Sequence, residues 1–591
     1  MIKQPKIIER QTDPKVWQAA KRLGLSDLQA KLVANRLHSD TDANWAENLE
    51  KIIFPKLQHL QPPSMLKNAS QAAELIANAI EGQGQIVLAT DYDTDGVTSA
   101  WVATRALIDF FQVAPERISH VIGDRKTGYG ITDQVVERIL NLSAPIDLVI
   151  TADQGSSDEP RLQKLAAAGI KVCVTDHHQM AVEGPPPSAA CTVNPQQEGC
   201  LYDKTVAGCY VIFLVMGQVR QLLIQRGRIS PNTPSLKPLI SKVALGTIAD
   251  SVSLKSPNNR AIVRAGLAQI NQFSHPAWQA IRQFNNLNQP IDAEYLSFQV
   301  ITRINAASRV SDVESAFQFL NANSVTAALQ HLQQLDEDNN QRKLQQQAML
   351  EQAQNLAQRL YHPQKYSLAI KMTGNAGIQG IIASRIGELY GVPTVAMTDL
   401  KDGYLAGSGR GMVPTVDLRR AFQWMSEQDP QLFKSMGGHK GAAGCMIPIE
   451  KYEIFAELFE QAIQRQLGDE IPQPTIETDG VLPDPWLTPM LIQELQLLEP
   501  YGREWPQPVF SGHFQIQQVK EVGQTQTHLS FQLNTQSGQQ LNAIFFNAKP
   551  NSDAPTPFKA GDTLYCAYQP ALNTYFGRTQ LQLRIQAAEL A

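Results

Sequence analysis

The 591-residue sequence predicts an α/β protein that ends in an all-β domain, and three observations carry that reading. Strand-like and helix-like patterns alternate from residue 85 to about 270, which implies a mostly parallel sheet with helices on both faces. A run without Gly or Pro at 324–360 is long enough for one continuous helix. After Ile471-Pro472-Gln473-Pro474 the composition turns to β-branched and aromatic runs broken by turn signals. At ~100–200 residues per domain the chain exceeds a single core. Its boundaries read as a helical preface at 1–80, an α/β domain at 81–275, a connecting helical region with the long helix at 276–360, a further unit at 361–470 and the β domain at 475–591.

Composition narrows the class. With 43% hydrophobic and 18% charged residues, long disordered stretches are not expected. A net charge of −5 excludes a chain coated in positive charge but leaves room for a locally basic groove. Six cysteines without a Cys-x-x-Cys pair exclude zinc-finger and thioredoxin chemistry. The N-terminus lacks an apolar signal core and no stretch approaches the ~20 apolar residues of a membrane span, so the sequence reads as cytoplasmic.

In the preface, 26–37 and 67–80 carry apolar residues at helical spacing around a turn at 61–64. Strands follow at 86–90, 118–121, 147–151 and 171–175. Three of the four run straight into chemistry: Asp91, Asp93 and Asp95 after the first, Asp153 after the third, and Asp176, His177 and His178 after the fourth. Open α/β sheets bind ligands outside the carboxyl ends of their strands, so these residues should converge. Three carboxylates at alternate positions repel, and a cation relieves the repulsion; oxygen ligands suit Mg²⁺ or Mn²⁺. Each cluster alone also fits a blander reading: a helix-capping turn, an Asx turn at Asp153, an exposed histidine loop. Asp250, closing the apolar run 239–249, reads by itself as a helix terminus.

Basic and aromatic residues then suggest a grip on phosphate. Arg125 and Tyr129 share the loop 124–130, where Arg can bind phosphate bidentately and Tyr can stack on a base. Arg303, Asn305 and Arg309 lie in an apolar stretch, where a phosphate or an internal salt bridge would satisfy the guanidinium groups. Ser408 and Arg410 sit in a Gly-Ser-Gly-Arg segment read as a turn, and Gly437-Gly438-His439 offers similar small-residue access. The run 324–360 reads as a strut, broken if anywhere near 336–340, too polar for a coiled-coil dimer. Five strands at 513–522, 527–533, 541–546, 562–568 and 580–585 match an OB-fold, a platform for single strands.

Taken in order, Asp91-Tyr92-Asp93-Thr94-Asp95-Gly96, Ala152-Asp153-Gln154-Gly155-Ser156, Asp176-His177-His178 and Gly246-Thr247-Ile248-Ala249-Asp250 resemble the motifs of the DHH phosphoesterase superfamily. Residues 407–410 and 437–444 resemble its associated C-terminal domain. Residues 303–309, with 498–502 and 573–577, narrow the resemblance to its single-strand-specific 5′→3′ DNA exonucleases. The resemblance implies a second α/β domain at 361–470. It also implies two divalent cations, Mn²⁺ preferred or Mg²⁺, with Asp93, Asp95, Asp153, His177 and Asp250 as ligands and Asp153 bridging. Asp91 would replace an upstream histidine whose position here is Ala89. His178 would face the scissile phosphate, with Asp176 behind it orienting an imidazole. Arg309, Ser408 and Arg410 would hold a 5′-terminal phosphate, and Gly438 and His439 a phosphoryl oxygen.

The implied activity is release of 5′-mononucleotides from single-stranded DNA in repair and recombination. It would be carried out by a monomer working with a single-strand-binding protein and a helicase, at the nucleoid and away from membranes. Two alternatives stay open: a phosphodiesterase of short oligoribonucleotides or cyclic dinucleotides, and an inactive replication or repair scaffold. The chain departs from the common pattern at Ser308, where Gly is usual, at Gly411, where Ser is common, and at 373–377, which lacks an aromatic–His pair.

Overall fold

The structure is a computed structural model that describes residues 5–400, 402–438, 440–549, 552–575 and 578–591. Two compact units divide the chain, one of residues 39–341 with 498–506 and the other of 1–38, 342–497 and 507–591.

The first unit is built on a five-stranded parallel sheet. Its order is Ile118–Ile122, Gln85–Thr90, Ile146–Ala152, Val172–Thr175, Cys191–Val193. Residues alternate across a strand, and both faces are covered. Ile86, Leu88, Leu148 and Ile150 enter a core with helices Ala69–Glu81, Thr94–Arg105 and Gly208–Gln225, while Val87, Ala89 and Val149 enter another with Asp133–Leu140 and Glu159–Ala167. Burial on both faces explains why these strands read as unbroken apolar runs. The last strand is only three residues long, too short to leave a periodic signal in the sequence. The chain lays strands to one side of Gln85–Thr90 and then crosses to the other, so the crevice at this switch point lies at the carboxyl ends of Gln85–Thr90 and Ile146–Ala152.

One helix departs from the expectation about apolar stretches. Gly208–Gln225 is long and apolar enough by composition to cross a membrane. Its Cys209, Tyr210, Ile212 and Val215 fill the core instead, which accounts for the composition.

Helix Val325–Leu360 is continuous through 336–340, without a break. Ala328, Leu332 and Leu335 pack in the core of the first unit, and Met349, Ala353 and Ala357 in a core of the second. The second unit holds a five-stranded sheet, ordered Ser435–Gly438, Ala442–Pro448, Tyr404–Arg410, Thr394–Asp399, Leu368–Met372, antiparallel except for the last pair. The Gly-Ser-Gly-Arg segment is therefore strand, not turn. Gly407 sits where an added Cβ would lie 2.7 Å from Cys445 Sγ, so its lack of a side chain serves sheet packing. Strands Phe510–Val522, His528–Asn534, Gln540–Phe545, Arg578–Leu590 and Thr563–Tyr575 close into a barrel.

The preface is not all helix. Lys6–Glu9 pairs in parallel with Thr475–Thr478, and Arg36 and Asn35 bind Asp479. A four-residue strand whose partner lies more than 450 residues away has no local signature.

Candidate metal centre

Four loops bring the acidic and histidine residues together at the carboxyl edge of the parallel sheet. Asp93 caps helix Thr94–Arg105, its Oδ1 accepting from the backbone N–H of Asp95 (2.8 Å) and Gly96 (3.1 Å). Asp95, inside the first turn, is held by another helix start, accepting from the N–H of Gly208 at 2.7 Å and Cys209 at 3.0 Å. A helix N-terminus favours a carboxylate by its partial positive charge and free N–H groups. Two glycines make this packing feasible. A Cβ on Gly208 would lie 2.6 Å from Asp153 Cβ, and one on Gly246 would lie 2.7 Å from Asp95 Oδ1 and 2.3 Å from Thr98 Oγ1.

Asp153 follows its strand at φ +63°, in the left-handed region. Its Oδ1 lies 3.2 Å from His177 Nε2, yet neither atom has a hydrogen-bond partner, and Asp91 Oδ1 is likewise buried and unpartnered among the described residues. Burial, then the charges of Asp95, Asp93, Asp91 and Asp250, hold the Asp153 carboxyl well above the usual range. Burial and Asp93 do the same to Asp91. Asp250, the C-cap of helix Ile240–Ala249, is pushed up to about 6 by burial, with Asp95 and Asp93 adding to the shift and His177 opposing it.

Unpartnered buried oxygen atoms with repelling neighbours fit divalent cations. Ligand atoms gather within 4.8 Å of one another in Asp91, Asp93 and Asp153, in Asp95, His177 and Asp250, and in Asp153, His177 and His178. The first two groups share no residue, and the 3.2 Å approach of Asp153 to His177 joins them. Asp91 thus falls within one of the two groups.

Behind these groups stands a fully bonded support. Asp176 Oδ1 accepts from His178 Nδ1 (2.8 Å) and from the backbone N–H of His177 and His178, and its Oδ2 from Ser156 N–H. Burial alone would lower the His178 pKa, but the Asp176 carboxylate reverses that and leaves it at about 9. Asn194 Nδ2 donates to Ser156 Oγ and to the His178 carbonyl. Asn194 and the Gly208 helix start escaped sequence reading, and the signal that marks both is position just beyond a strand or loop of the same sheet edge.

The residues expected to grip substrate divide. Tyr129, expected to stack, turns its hydroxyl inward, donating to the Asp153 carbonyl (3.0 Å) and lying 2.7 Å from His178 Nδ1, while the residue as a whole is 49% exposed. Arg125 lies over the Tyr92 ring at 4.2 Å, and its Nε donates to Ser308 Oγ at 3.3 Å. The departure from Gly at 308 therefore makes a contact that Gly lacks. Asn305 Oδ1 accepts from Thr94 N–H and Oγ1, both at 2.9 Å. Arg303 makes an internal salt bridge: its Nε donates to Asp336 Oδ1 at 2.7 Å and its Nη1 to the Gln299 carbonyl. Arg309 stands near enough to Tyr92 to influence its ionisation.

In the second unit, alternation along Tyr404–Arg410 puts Ser408 and Arg410 on one face, with Arg410 Nη1 donating to Ser408 Oγ at 3.1 Å. Burial lowers the Arg410 pKa, and no carboxylate pairs with it among the described residues. Gly438 ends its strand at φ +136°. His439 and part of the 573–577 motif lie outside the described residues.

Comparisons with known proteins bear on the family and the fold. Family models described as the DHH family N-terminal domain, the DHHA1 domain and the RecJ OB domain match residues 85–247, 365–465 and 478–587. The chain is 30% identical to the single-stranded-DNA-specific exonuclease RecJ of Haemophilus influenzae over 543 residues, 90% of this chain and 92% of that protein. A crystal structure of RecJ from Thermus thermophilus in complex with Mn²⁺ matches with a TM-score of 0.76 at 24% identity, covering 99% of this chain and 80% of that one. A crystal structure of exonuclease RecJ bound to manganese matches with a TM-score of 0.55 at 28% identity, covering 73% and 98%.

Proposed function

The chain belongs to the RecJ family, and from that premise we propose that it is a metal-dependent exonuclease that hydrolyses single-stranded DNA from the 5′ end to 5′-mononucleotides, serving repair and recombination. One observation carries the reading: carboxylate and imidazole atoms from four separate loops, three of them buried without partners, meet in two adjoining ligand groups. A scaffold without catalysis would have no reason to keep such costly atoms.

Asp91, Asp93 and Asp153 would hold one divalent cation, and Asp95, His177 and Asp250 the other. Mn²⁺ or Mg²⁺ bound there supplies charge to polarise the phosphoryl oxygens and to lower the pKa of the attacking water. The other residues position. Asp176 and Tyr129 clamp His178 from two sides at a rim where its side chain is 39% exposed, placing it to hydrogen-bond a non-bridging phosphoryl oxygen. Asn305 fixes the turn at Thr94 and so the aim of Asp93 and Asp95. Arg125, held by Ser308 and Tyr92, and Arg309 offer cations to the strand. Ser408 and Arg410 supply a donor pair without a carboxylate among the described residues, suited to a terminal phosphate, and this pair supports 5′ polarity. An OB-fold barrel supports an extended single-strand substrate over a short oligoribonucleotide or cyclic dinucleotide. By the same reading a single-strand-binding protein and a helicase would present the strand to a monomeric enzyme.

The test is digestion of 5′- and 3′-labelled single-stranded and duplex DNA with Mn²⁺ or with EDTA. Stepwise loss from the 5′ end of single strands, abolished by EDTA, is expected. Intact single strands in Mn²⁺ would overturn the proposal, and indifference of Arg410→Ala to a 5′-phosphate would remove Arg410 from the polarity assignment.

A further inference from the structure

The helix that carries Asn305 and Arg309 begins earlier, at Ala293–Tyr295, passes through the π-helical turn Leu296–Ile301 and continues as Thr302–Val310. From 300 to 309 only Thr302, Asn305 and Arg309 escape burial. One turn before them, Phe298 is 63% exposed. The positions 298, 302, 305 and 309 are spaced four, three and four apart, which is a single line along a helix. This line meets the metal centre at Asn305, which bonds Thr94 between Asp93 and Asp95, and Ser308 beside the line bonds Arg125.

A phenyl ring is out of place at the open end of such a line if water is its only neighbour. The same helix buries Leu296, Val300, Ile301 and Ile304 in the core, so apolar residues were available to its inner face without spending one outside. π-helical turns gather at functional sites. Here Thr302 Oγ1 donates to the Phe298 carbonyl at 2.7 Å. Ring, hydroxyl, amide and guanidinium in sequence match the chemistry of a single strand, whose bases stack and whose backbone accepts hydrogen bonds and charge. The seven steps from residue 298 to 305 span about 10 Å along the axis, or about three nucleotides at the ~3.4 Å spacing of a stacked strand.

We propose that Phe298 is a stacking residue for a nucleobase of the substrate, about three nucleotides from the metal centre, and that Thr302 and Asn305 lie along the path the strand takes between them. The proposal rests on the single-stranded-DNA reading above and names a positioning residue for it. Base stacking on an aromatic ring corresponds to a loss of at least about fivefold on truncation.

The experiment compares wild type, Phe298→Ala and Phe298→Tyr on a 5′-labelled single strand in Mn²⁺, and on the same strand carrying one abasic position at each of nucleotides two to five. Anisotropy of the labelled strand in EDTA gives binding without turnover. Phe298→Ala is expected to raise KM and the EDTA Kd at least about fivefold, with kcat within twofold and an unchanged Tm. Phe298→Tyr should restore binding. An abasic position at the stacked nucleotide should weaken the wild type and leave Phe298→Ala unaffected, since the two losses share one contact. Equal KM and Kd in wild type and Phe298→Ala, or an abasic penalty of the same size in both, would overturn the proposal. Wild type that neither binds nor degrades single strands would overturn the reading beneath it.

Discussion

Asp479 and Asp153 are each 2% exposed, yet the chain completes one and leaves the other open. Asp479 Oδ1 accepts from Asn35 Nδ2 and Arg36 Nη1 at 2.9 and 3.0 Å, and its Oδ2 from Arg36 Nη2 and Val509 N–H at 3.1 and 3.2 Å. Every lone pair finds a donor within the protein, and the pair ties the N-terminal segment to the edge of the barrel domain. Asp153 Oδ1 finds none among the described residues, and the charges that act on it include those of four other carboxylates, with His177 Nε2 at 3.2 Å. The first arrangement is finished by folding. The second is finished only by something that binds, so stability and function should separate cleanly between the two residues.

The largest effect expected is on Asp153. Asn tolerates the left-handed backbone that this position requires, so Asp153→Asn removes the charge without refolding the loop. Nuclease turnover should fall by more than the ~10–100-fold typical of residues behind a metal ligand. The Tm in EDTA should stay level or rise, because a repelled buried charge is gone. Mn²⁺ should raise the wild-type Tm by mass action and fail to raise that of the variant. A variant that keeps both turnover and the Mn²⁺ shift would break the comparison at its functional end.

Asp479→Ala should do the reverse. Removing one partner from a fully buried pair leaves Arg36 uncompensated and costs about 3–5 kcal/mol in denaturant unfolding, while the Mn²⁺-dependent shift survives at temperatures where the variant is folded. A loss below about 1 kcal/mol would mean that the pair is not the tie its geometry suggests.

How much of this contrast the sequence discloses depends on distance along the chain. The catalytic sheet and its acidic edge are legible because each strand is followed at once by its own charged residue, so strand position and chemistry are read together. The partners are not legible. Nothing near Asp95 announces that its oxygens meet the N–H groups of Gly208 and Cys209, more than a hundred residues on, and nothing near Arg303 distinguishes Asp336 from a phosphate. Gly407 and Gly409 strip the β pattern from a true strand, because sheet packing there wants no side chain. Tyr129 carries a ring and a hydroxyl, and sequence alone gave reason to assign only the ring.

A smaller effect is expected at Ser308, the departure nearest the metal centre. Ser308→Gly deletes the hydroxyl that Arg125 Nε donates to and places Gly within a helix, together about 1–2 kcal/mol of stability. If the hydroxyl aims Arg125 at the strand, KM for single-stranded DNA rises a few fold while kcat holds. An unchanged KM would make Ser308 a helix residue and nothing more.

The smallest effect is expected at a half-buried carboxyl that lies outside both clusters. Glu499 is raised from 4.5 to about 7, chiefly by burial and further by the charge of Asp292, with Arg264 opposing. It has neither the complete donor set of Asp479 nor the converging ligands of Asp153, and it meets the cost by keeping its proton. Because the folded state holds the proton more tightly than the unfolded chain, this contribution to stability is complete below about pH 4.5 and fades as pH rises through about 7. Stability measured by urea unfolding between pH 5 and 8 should therefore fall more steeply in wild type than in Glu499→Gln, which cannot titrate, and the two curves should converge at the acid end. Parallel curves would mean that Glu499 is solvated in the folded state, and among the carboxyl groups of the described residues Asp91 and Asp153 would then be the ones buried with an unpartnered oxygen.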